Sequence, residues 1–136
     1  MCQSLNFKGL NIWFSHSPIS QLIDDILVSK SVQNVTLDSE IMLYVLRKEQ
    51  ICHARTVRLI NYNENHDLHP ILDLKIFVAK FPHWQNLNLK KIEFRNSIEL
   101  QNPKGMIRLE GFTNLNYETL NDLLLVAKNT DIRFEG

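Results

Sequence analysis

The chain has 136 residues, which suits a single domain over residues 1–136, and its 15 basic and 15 acidic residues give zero formal net charge. This balance provides no bulk electrostatic attraction to nucleic acid or to anionic lipid. Two cysteines are too few for a disulfide framework, and no apolar run is long enough to cross a membrane. The first residues do not resemble a secretory signal, so we expect an intracellular protein, either cytoplasmic or nuclear.

A short alternating pattern recurs along the chain: a β-branched aliphatic residue, any residue, then leucine or phenylalanine. Such alternation is typical of a half-buried strand, whose first and third side chains enter the core while the middle one points outward. Six copies of this triplet begin at Ile12, Val35, Val57, Ile92, Ile107 and Ile132. The pattern therefore predicts six strands, each with core residues at both ends of its triplet.

The segments between the triplets have the periodicity of amphipathic helices. Residues 19–27 place their apolar side chains at helical spacing, and Ser17 followed by Pro18 is a suitable helix start. We expect three further helices. The first lies around residues 40–48, with Val45 on its apolar side. The second lies around residues 68–79, and its apolar face consists of Leu68, Leu72, Ile76 and Ala79. The third lies around residues 116–127, with Asn116 as its cap and an apolar face of Leu120, Leu123, Leu124 and Ala127.

The triplets start 23, 22, 35, 15 and 25 residues apart. Units of about 20 to 29 residues, each a strand and a helix, indicate a leucine-rich-repeat-like solenoid. The long gap contains a polar loop at residues 61–67, and the short gap contains a turn at residues 102–105. The predicted fold is thus an α/β solenoid of about six strand–helix units with a mainly parallel sheet. A compact α/β sandwich of the same elements is the alternative.

No catalytic pattern stands out in the sequence. Phosphate-binding glycine motifs and the nucleophile elbow are both missing, and adjacency of Cys52 and His53 does not make a thiol nucleophile. His66 and His69 are too few to hold a metal, which needs three or four ligands. We therefore expect no enzyme activity, no cofactor and no metal site.

The outward middle positions of the triplets are the most informative candidates for binding. They combine arginine, glutamate and one tryptophan, a mixture that is typical of protein-binding surfaces. The predicted partner-binding residues are Trp13, Arg58, Glu93, Arg95, Arg108 and Arg133. A solvated sheet face with weak salt bridges is one alternative, and Phe81 with Trp84 forms a second candidate patch. Nucleic acid held by the Arg and Lys residues of the same face is the alternative partner.

Residues 103–125 also carry a family resemblance. They contain the strand-like IRLEG at residues 107–111, an Asn-Leu pair at 114–115 and a leucine-rich helix that begins near Glu118. This combination, preceded by NLKKIEFRN at residues 88–96, resembles the nematode-type F-box-associated domains. The resemblance implies a substrate-recognition domain of a cullin-type ubiquitin ligase. The F-box itself, which docks the ligase adaptor, does not precede the first predicted strand, so we expect that the adaptor does not bind this chain directly. The sequence therefore predicts a protein–protein interaction module.

Overall fold

The computed structural model describes residues 32–38, 42, 45–47, 49–61, 71–111 and 116–135. These residues form an α/β fold. Its strands are β1 Asn34–Asp38, β2 Thr56–Ile60, β3 Ile71–Asp73, β4 Asn86–Lys90, β5 Glu93–Arg95, β6 Met106–Glu110 and β7 Asp131–Glu135. Its helices are α1 Leu74–Lys80, α2 Tyr117–Val126 and a 3-10 helix, Ser97–Leu100. Neither α-helix of the described part is long and apolar enough to cross a membrane.

Five of the strands form one parallel sheet in the order β1-β2-β4-β6-β7. Each strand is five residues long and pairs with its neighbour without any shift in register, so equivalent positions lie in straight rows across the sheet. Parallel neighbours cannot be joined by a tight hairpin, because the chain must return to the same end of the sheet between strands. The prediction of a mainly parallel α/β fold is confirmed.

The strands of this sheet bury alternate side chains. Val57 and Leu59 of β2 are fully buried, whereas Arg58 between them is only half-buried. The first triplet positions that the structure describes confirm the pattern: Val35, Val57, Ile92 and Ile107 are buried, and Ile132 is half-buried. Ile12 lies outside the described residues. The last third position, Phe134, is an exception, because it is exposed on the edge strand β7.

The triplet at residues 92–94 does not belong to the five-stranded sheet. It overlaps β5, which pairs in parallel with β3 in a separate two-stranded sheet, where Leu72 lies opposite Phe94. The place between β2 and β6 is taken by β4, which buries Leu87 and Leu89. The triplet pattern missed β4 because its first core residue is leucine rather than a β-branched residue. Alternation also cannot tell which of two sheets a strand will join.

The helices pack as a second layer against one continuous core. The 3-10 helix contacts α1 on one side and α2 on the other, so the layer follows the order α1, 3-10 helix, α2. Asn116 caps α2 as predicted, since its side chain accepts a hydrogen bond from the Thr119 backbone N–H.

The predicted apolar faces of the last two helices are wrong in part. Leu72 lies in β3 and not in a helix, and Ile76 of α1 is exposed, because α1 turns Leu74 and Phe77 inward instead. In α2 the buried residues are Leu123 and Val126, while three predicted face residues are exposed: Leu120, Leu124 and Ala127. Val45 is buried as expected, and Leu68 lies outside the described residues.

Side chains in the loops join the starts of three neighbouring strands. The Asn102 side-chain amide donates to the Trp84 carbonyl over 3.0 Å, and the Asn102 backbone N–H donates to Thr130 Oγ1 over 2.7 Å. The turn predicted at residues 102–105 is present, since the Gly105 N–H donates to the Asn102 carbonyl. A Cβ at Gly105 would lie 2.7 Å from the Trp84 ring, so this turn requires glycine. The loops before β4, β6 and β7 are thus held in a fixed stack.

Candidate functional site

The outward face of the five-stranded sheet is the main candidate surface. Because side chains alternate, the first, third and fifth residues of every strand point to this side. The unshifted register places the third residues side by side in a line that we call the middle row. The middle row consists of Thr36, Arg58, Asn88, Arg108 and Arg133. Neighbouring members lie on strands about 4.8 Å apart, so the row spans roughly 19 Å.

The middle row contains only part of the predicted binding set. Arg58, Arg108 and Arg133 lie together in it, as the sequence suggested. Glu93 and Arg95 do not, because they lie on β5 in the two-stranded sheet. Trp13 lies outside the described residues. Asn88 was missed, since its strand escaped the triplet pattern, although the alternation of Leu87 and Leu89 could have located it.

Two arginines of the middle row are engaged in ion pairs. Arg108 Nε lies 3.1 Å from Glu135 Oε1, and Arg133 Nε lies 3.3 Å from Asp131 Oδ2. The Arg108 pair is close but poorly aligned, since its Nε makes no hydrogen bond within the described residues. All four side chains are more than a third exposed, so each pair contributes about 1 kcal/mol or less to stability. Their main effect is to neutralise the β6–β7 side of the face.

Arg58 has no such partner. It makes no ion pair or hydrogen bond with any other residue that the structure describes, and its Nε is covered without an acceptor. The residue opposite it on β4 is Asn88, whose side-chain amide donates to Glu110 Oε1 while its own Oδ1 is covered without a donor. Arg58 is half-buried and only its Nε is covered, so the two Nη groups are the part of this guanidinium that can donate to an added acceptor.

The charge on the face changes from one side to the other. Around Arg58 the neighbouring side chains are neutral: Thr36, Thr56 and Asn88. The exposed acids Glu135 and Asp131 lie on β7, at the far side, while Asp38 on β1 is only 8% exposed. Lys90 on β4 lies opposite the half-buried Glu110 of β6. Among the Arg and Lys residues of this sheet face, Arg58 therefore lacks both an ion pair and a carboxylate opposite it. A carboxylate is the group best suited to this position, because guanidinium binds it through two parallel hydrogen bonds.

Glu93 and Arg95 belong to a different place, a cavity of about 450 Å³ beside β5. Ile71, Ser97 and the first turn of α2 also line it. Arg95 Nη2 lies 3.4 Å from Asp73 Oδ2, so this arginine is already paired with an acid of its own chain. The carboxylates of the cavity form no group of three metal ligands within the described part of the chain.

Asp73 is the most constrained acid near this cavity. Its Oδ1 accepts hydrogen bonds from Asn96 Nδ2 over 2.9 Å and from the Lys75 N–H over 3.0 Å. These bonds, first that from Asn96, together with the charge of Arg95, outweigh the effect of burial and lower the pKa of the Asp73 carboxyl. Asp73 is thereby held as an anion that caps α1.

Most of the remaining sequence candidates lie in the interior or outside the described residues, and His53 is half-buried. Phe81 and Trp84 are buried, so they cover the end of α1 and do not form a surface patch. Cys52 is buried as well, and its backbone N–H donates to the Lys80 carbonyl. His53 stacks on His83 with ring centroids 5.7 Å apart. His66 and His69 lie outside the described residues.

Comparison with protein-family models, curated proteins and solved structures finds no match for the chain. Function is therefore inferred from the geometry of the sheet face.

Proposed function

We propose that this chain is a protein-interaction module that binds its partner across the outward face of the five-stranded sheet, with Arg58 as the charged anchor. The observation that carries the proposal is the unpaired state of Arg58 among the described residues, in the same row as two arginines that lie in ion pairs. An arginine that is half-buried and lacks a counter-ion is desolvated at a cost that a partner carboxylate would offset. The partner segment is thus expected to carry Asp or Glu.

The arrangement of the strands supports a leucine-rich-repeat-like solenoid as the finer description of the fold. Core positions 35, 57, 87, 107 and 132 are equivalent in register and lie 22, 30, 20 and 25 residues apart. This spacing is more even than the triplets alone suggested, and units of this length stack so that one face of the sheet remains available for binding. The resemblance to F-box-associated domains supports substrate recognition for a ubiquitin ligase as the specific role.

Nucleic acid is the alternative partner of the same face. Phosphate binding would draw on Arg108 and Arg133, yet each of them lies beside a carboxylate that would repel a phosphate. The face also lacks an aromatic stacking platform within the described residues. A protein partner that brings one or two carboxylates fits the mixed charges better.

The experiment starts with site-specific photo-crosslinking. A photoreactive amino acid replaces Asn88, which lies beside Arg58 in the middle row, and in a control it replaces Ile98, which is exposed on the 3-10 helix. We expect a protein to be captured from native cells at position 88 and not at position 98. Capture of RNA or DNA at position 88 would favour the alternative partner.

Calorimetry with the captured protein then tests the anchor. Arg58→Ala should weaken binding about tenfold or more, equivalent to roughly 1.4 kcal/mol. Arg58→Lys should recover only part of the affinity, because lysine cannot bind a carboxylate through a planar fork. Arg47→Ala, at an exposed position outside the sheet, is the matched control and should have no effect. Undiminished binding by a folded Arg58→Ala variant would contradict the proposal.

A further inference from the structure

The β7 side of the molecule leaves core positions uncovered. The fourth residue of every strand lies in one row, and Leu37, Leu59, Leu89 and Leu109 of that row are fully buried. Phe134, the last member, is 56% exposed. Leu59, Leu89 and Leu109 lie on strands with a neighbour on both sides, and Leu37 is buried although β1 is an edge strand like β7. Phe134 thus differs from the residue at the opposite edge of the row. The apolar row therefore ends in an open position.

The helix layer ends in the same way. Tyr117, Leu120 and Leu124 of α2 are exposed, by 63% in the case of Leu124, although they recur at helical spacing along one side. The 3-10 helix packs against α2, and no described helix follows on from it. Contiguous exposed apolar groups of this kind are typical of a surface that another protein covers.

The backbone of β7 has a free hydrogen-bonding edge. The Asp131 N–H donates to the Gly105 carbonyl, and the Glu135 carbonyl accepts from the Gly111 N–H, so the backbone groups of these two residues face β6. Successive residues of a strand present their backbone groups to opposite sides. Those of Ile132 and Phe134 consequently point away from the sheet, where no described strand pairs with them.

We propose that a second copy of this chain covers this edge, with β7 of the two copies paired antiparallel around a two-fold axis at Ile132. In that register Asp131 of each copy lies opposite Arg133 of the other, and the charges are complementary. Centring the pairing on Arg133 would place arginine opposite arginine and Asp131 opposite Glu135, and like charges directly opposite are destabilising. Within one copy Arg133 pairs with Asp131, and in this register each Arg133 exchanges that partner for Asp131 of the other copy, while Glu135 stays paired with Arg108.

The chosen register also uses the free backbone. Ile132 lies opposite Ile132 of the second copy and Phe134 lies opposite Thr130, so the groups that face the open edge exchange hydrogen bonds. The contact is self-complementary, as two-fold dimers require. It lies at the edge and leaves Arg58 on the sheet face accessible, while Arg133 belongs both to this contact and to the middle row.

Sedimentation velocity of the purified full chain over a range of concentrations tests the dimer. We expect reversible dimerisation of the wild-type chain. Arg133→Asp should weaken it about tenfold or more, since carboxylates would then face each other across the axis. The double change Asp131→Arg with Arg133→Asp should restore it, because opposite charges again lie face to face. Arg47→Asp makes the same change in charge at an exposed position outside the sheet and should leave the dimer intact.

Phe134→Lys is a second test of the β7–β7 dimer, because it removes the apolar contact without reversing the charges of Asp131 and Arg133. It should also give monomers, with circular dichroism unchanged from the wild type. A wild-type chain that stays monomeric up to about 1 mM would overturn the proposal. That result is expected if another segment of the chain covers the edge. A dimer that survives both Arg133→Asp and Phe134→Lys would also overturn it, by placing the contact elsewhere.

Discussion

Asp73 shows at the scale of one residue how a single carboxylate joins three elements. It ends β3, caps α1 and receives side-chain bonds from Arg95 and Asn96 at the end of β5. Asn96 adopts a left-handed backbone conformation with φ of 58°, which asparagine tolerates better than most residues. Local sequence patterns do not reveal this cluster, because Arg95 and Asn96 are 22 and 23 residues from Asp73 and meet it only when β3 pairs with β5.

Removing this carboxylate should make stability depend on pH in a defined direction. The pKa of Asp73 is lower in the folded chain than its usual value of 3.8, so the folded state favours the anion. Its stabilisation is therefore fully present above the unfolded-state pKa and is lost as the pH falls through the folded-state pKa. Asp73→Ala should cost about 1 kcal/mol at pH 7 and less at pH 3, measured by urea unfolding at both values.

Asp73→Asn separates the cap from the charge. Asparagine caps helices about as well as aspartate but does not titrate in this range, so it should retain much of the stability at both pH values. Equal losses for Asp73→Ala at pH 7 and pH 3 would show that the charge contributes nothing.

At the scale of elements, the stacked loops before β4, β6 and β7 hold the strands in register. Thr130 is buried and central to this stack, because its hydroxyl accepts from the Asn102 N–H and donates to the Leu100 carbonyl over 3.2 Å. These two hydrogen bonds fix the position along the strand direction at which β7 starts relative to β6. Register across a parallel sheet decides which side chains form the middle row, so these loops also shape the binding face.

We expect Thr130→Val to destabilise the chain by about 1–3 kcal/mol. Valine has nearly the same shape, but it leaves the Asn102 N–H without its acceptor in a covered position. Thr36→Val is the matched control, because Thr36 is half-exposed in β1 and valine suits a strand equally well. Chemical denaturation of the two variants provides the comparison, and equal stability would mean that the loop hydrogen bond has no net value.

At the scale of the whole molecule, one sheet supplies two distinct surfaces. Its outward face carries the middle row, and its β7 edge carries exposed apolar groups and an open backbone. The inner face is occupied by one continuous core that includes residues of the strands and both α-helices. Because the core is covered by the helix layer, changes on the outward face can alter binding without loosening the packing.

The double change of Arg108 and Arg133 to Ala tests this separation. The two ion pairs are exposed, so the free energy of unfolding should fall by about 1 kcal/mol or less. Partner binding should weaken, but by less than for Arg58→Ala, because both arginines must first leave carboxylates of their own chain. Calorimetry with the captured partner compares the loss of affinity in the double variant with the loss in Arg58→Ala. A larger loss for the double variant than for Arg58→Ala would move the anchor to β6 and β7.

Several features could be derived from the sequence because they depend on neighbours along the chain. The alternation of apolar and polar residues located β1, β2, β6 and β7, because a half-buried strand shows this period of two within as few as five residues. The cap at Asn116 and the turn at residues 102–105 were also predictable, as they satisfy backbone groups only a few residues away. The same local period placed Arg58, Arg108 and Arg133 on one outward face.

Only the tertiary structure decided which strands are neighbours. The alternation of residues 92–94 is as clear as that of β4, yet β5 joins β3 and β4 joins the main sheet, because pairing depends on the path of the chain between them. That choice moved Glu93 and Arg95 off the binding face and brought Asn88 beside Arg58. Burial at the two edges was decided in the same way, since Leu37 on β1 is buried whereas the equivalent Phe134 on β7 is exposed. Periodicity determines which way a side chain points, while long-range packing determines what it meets.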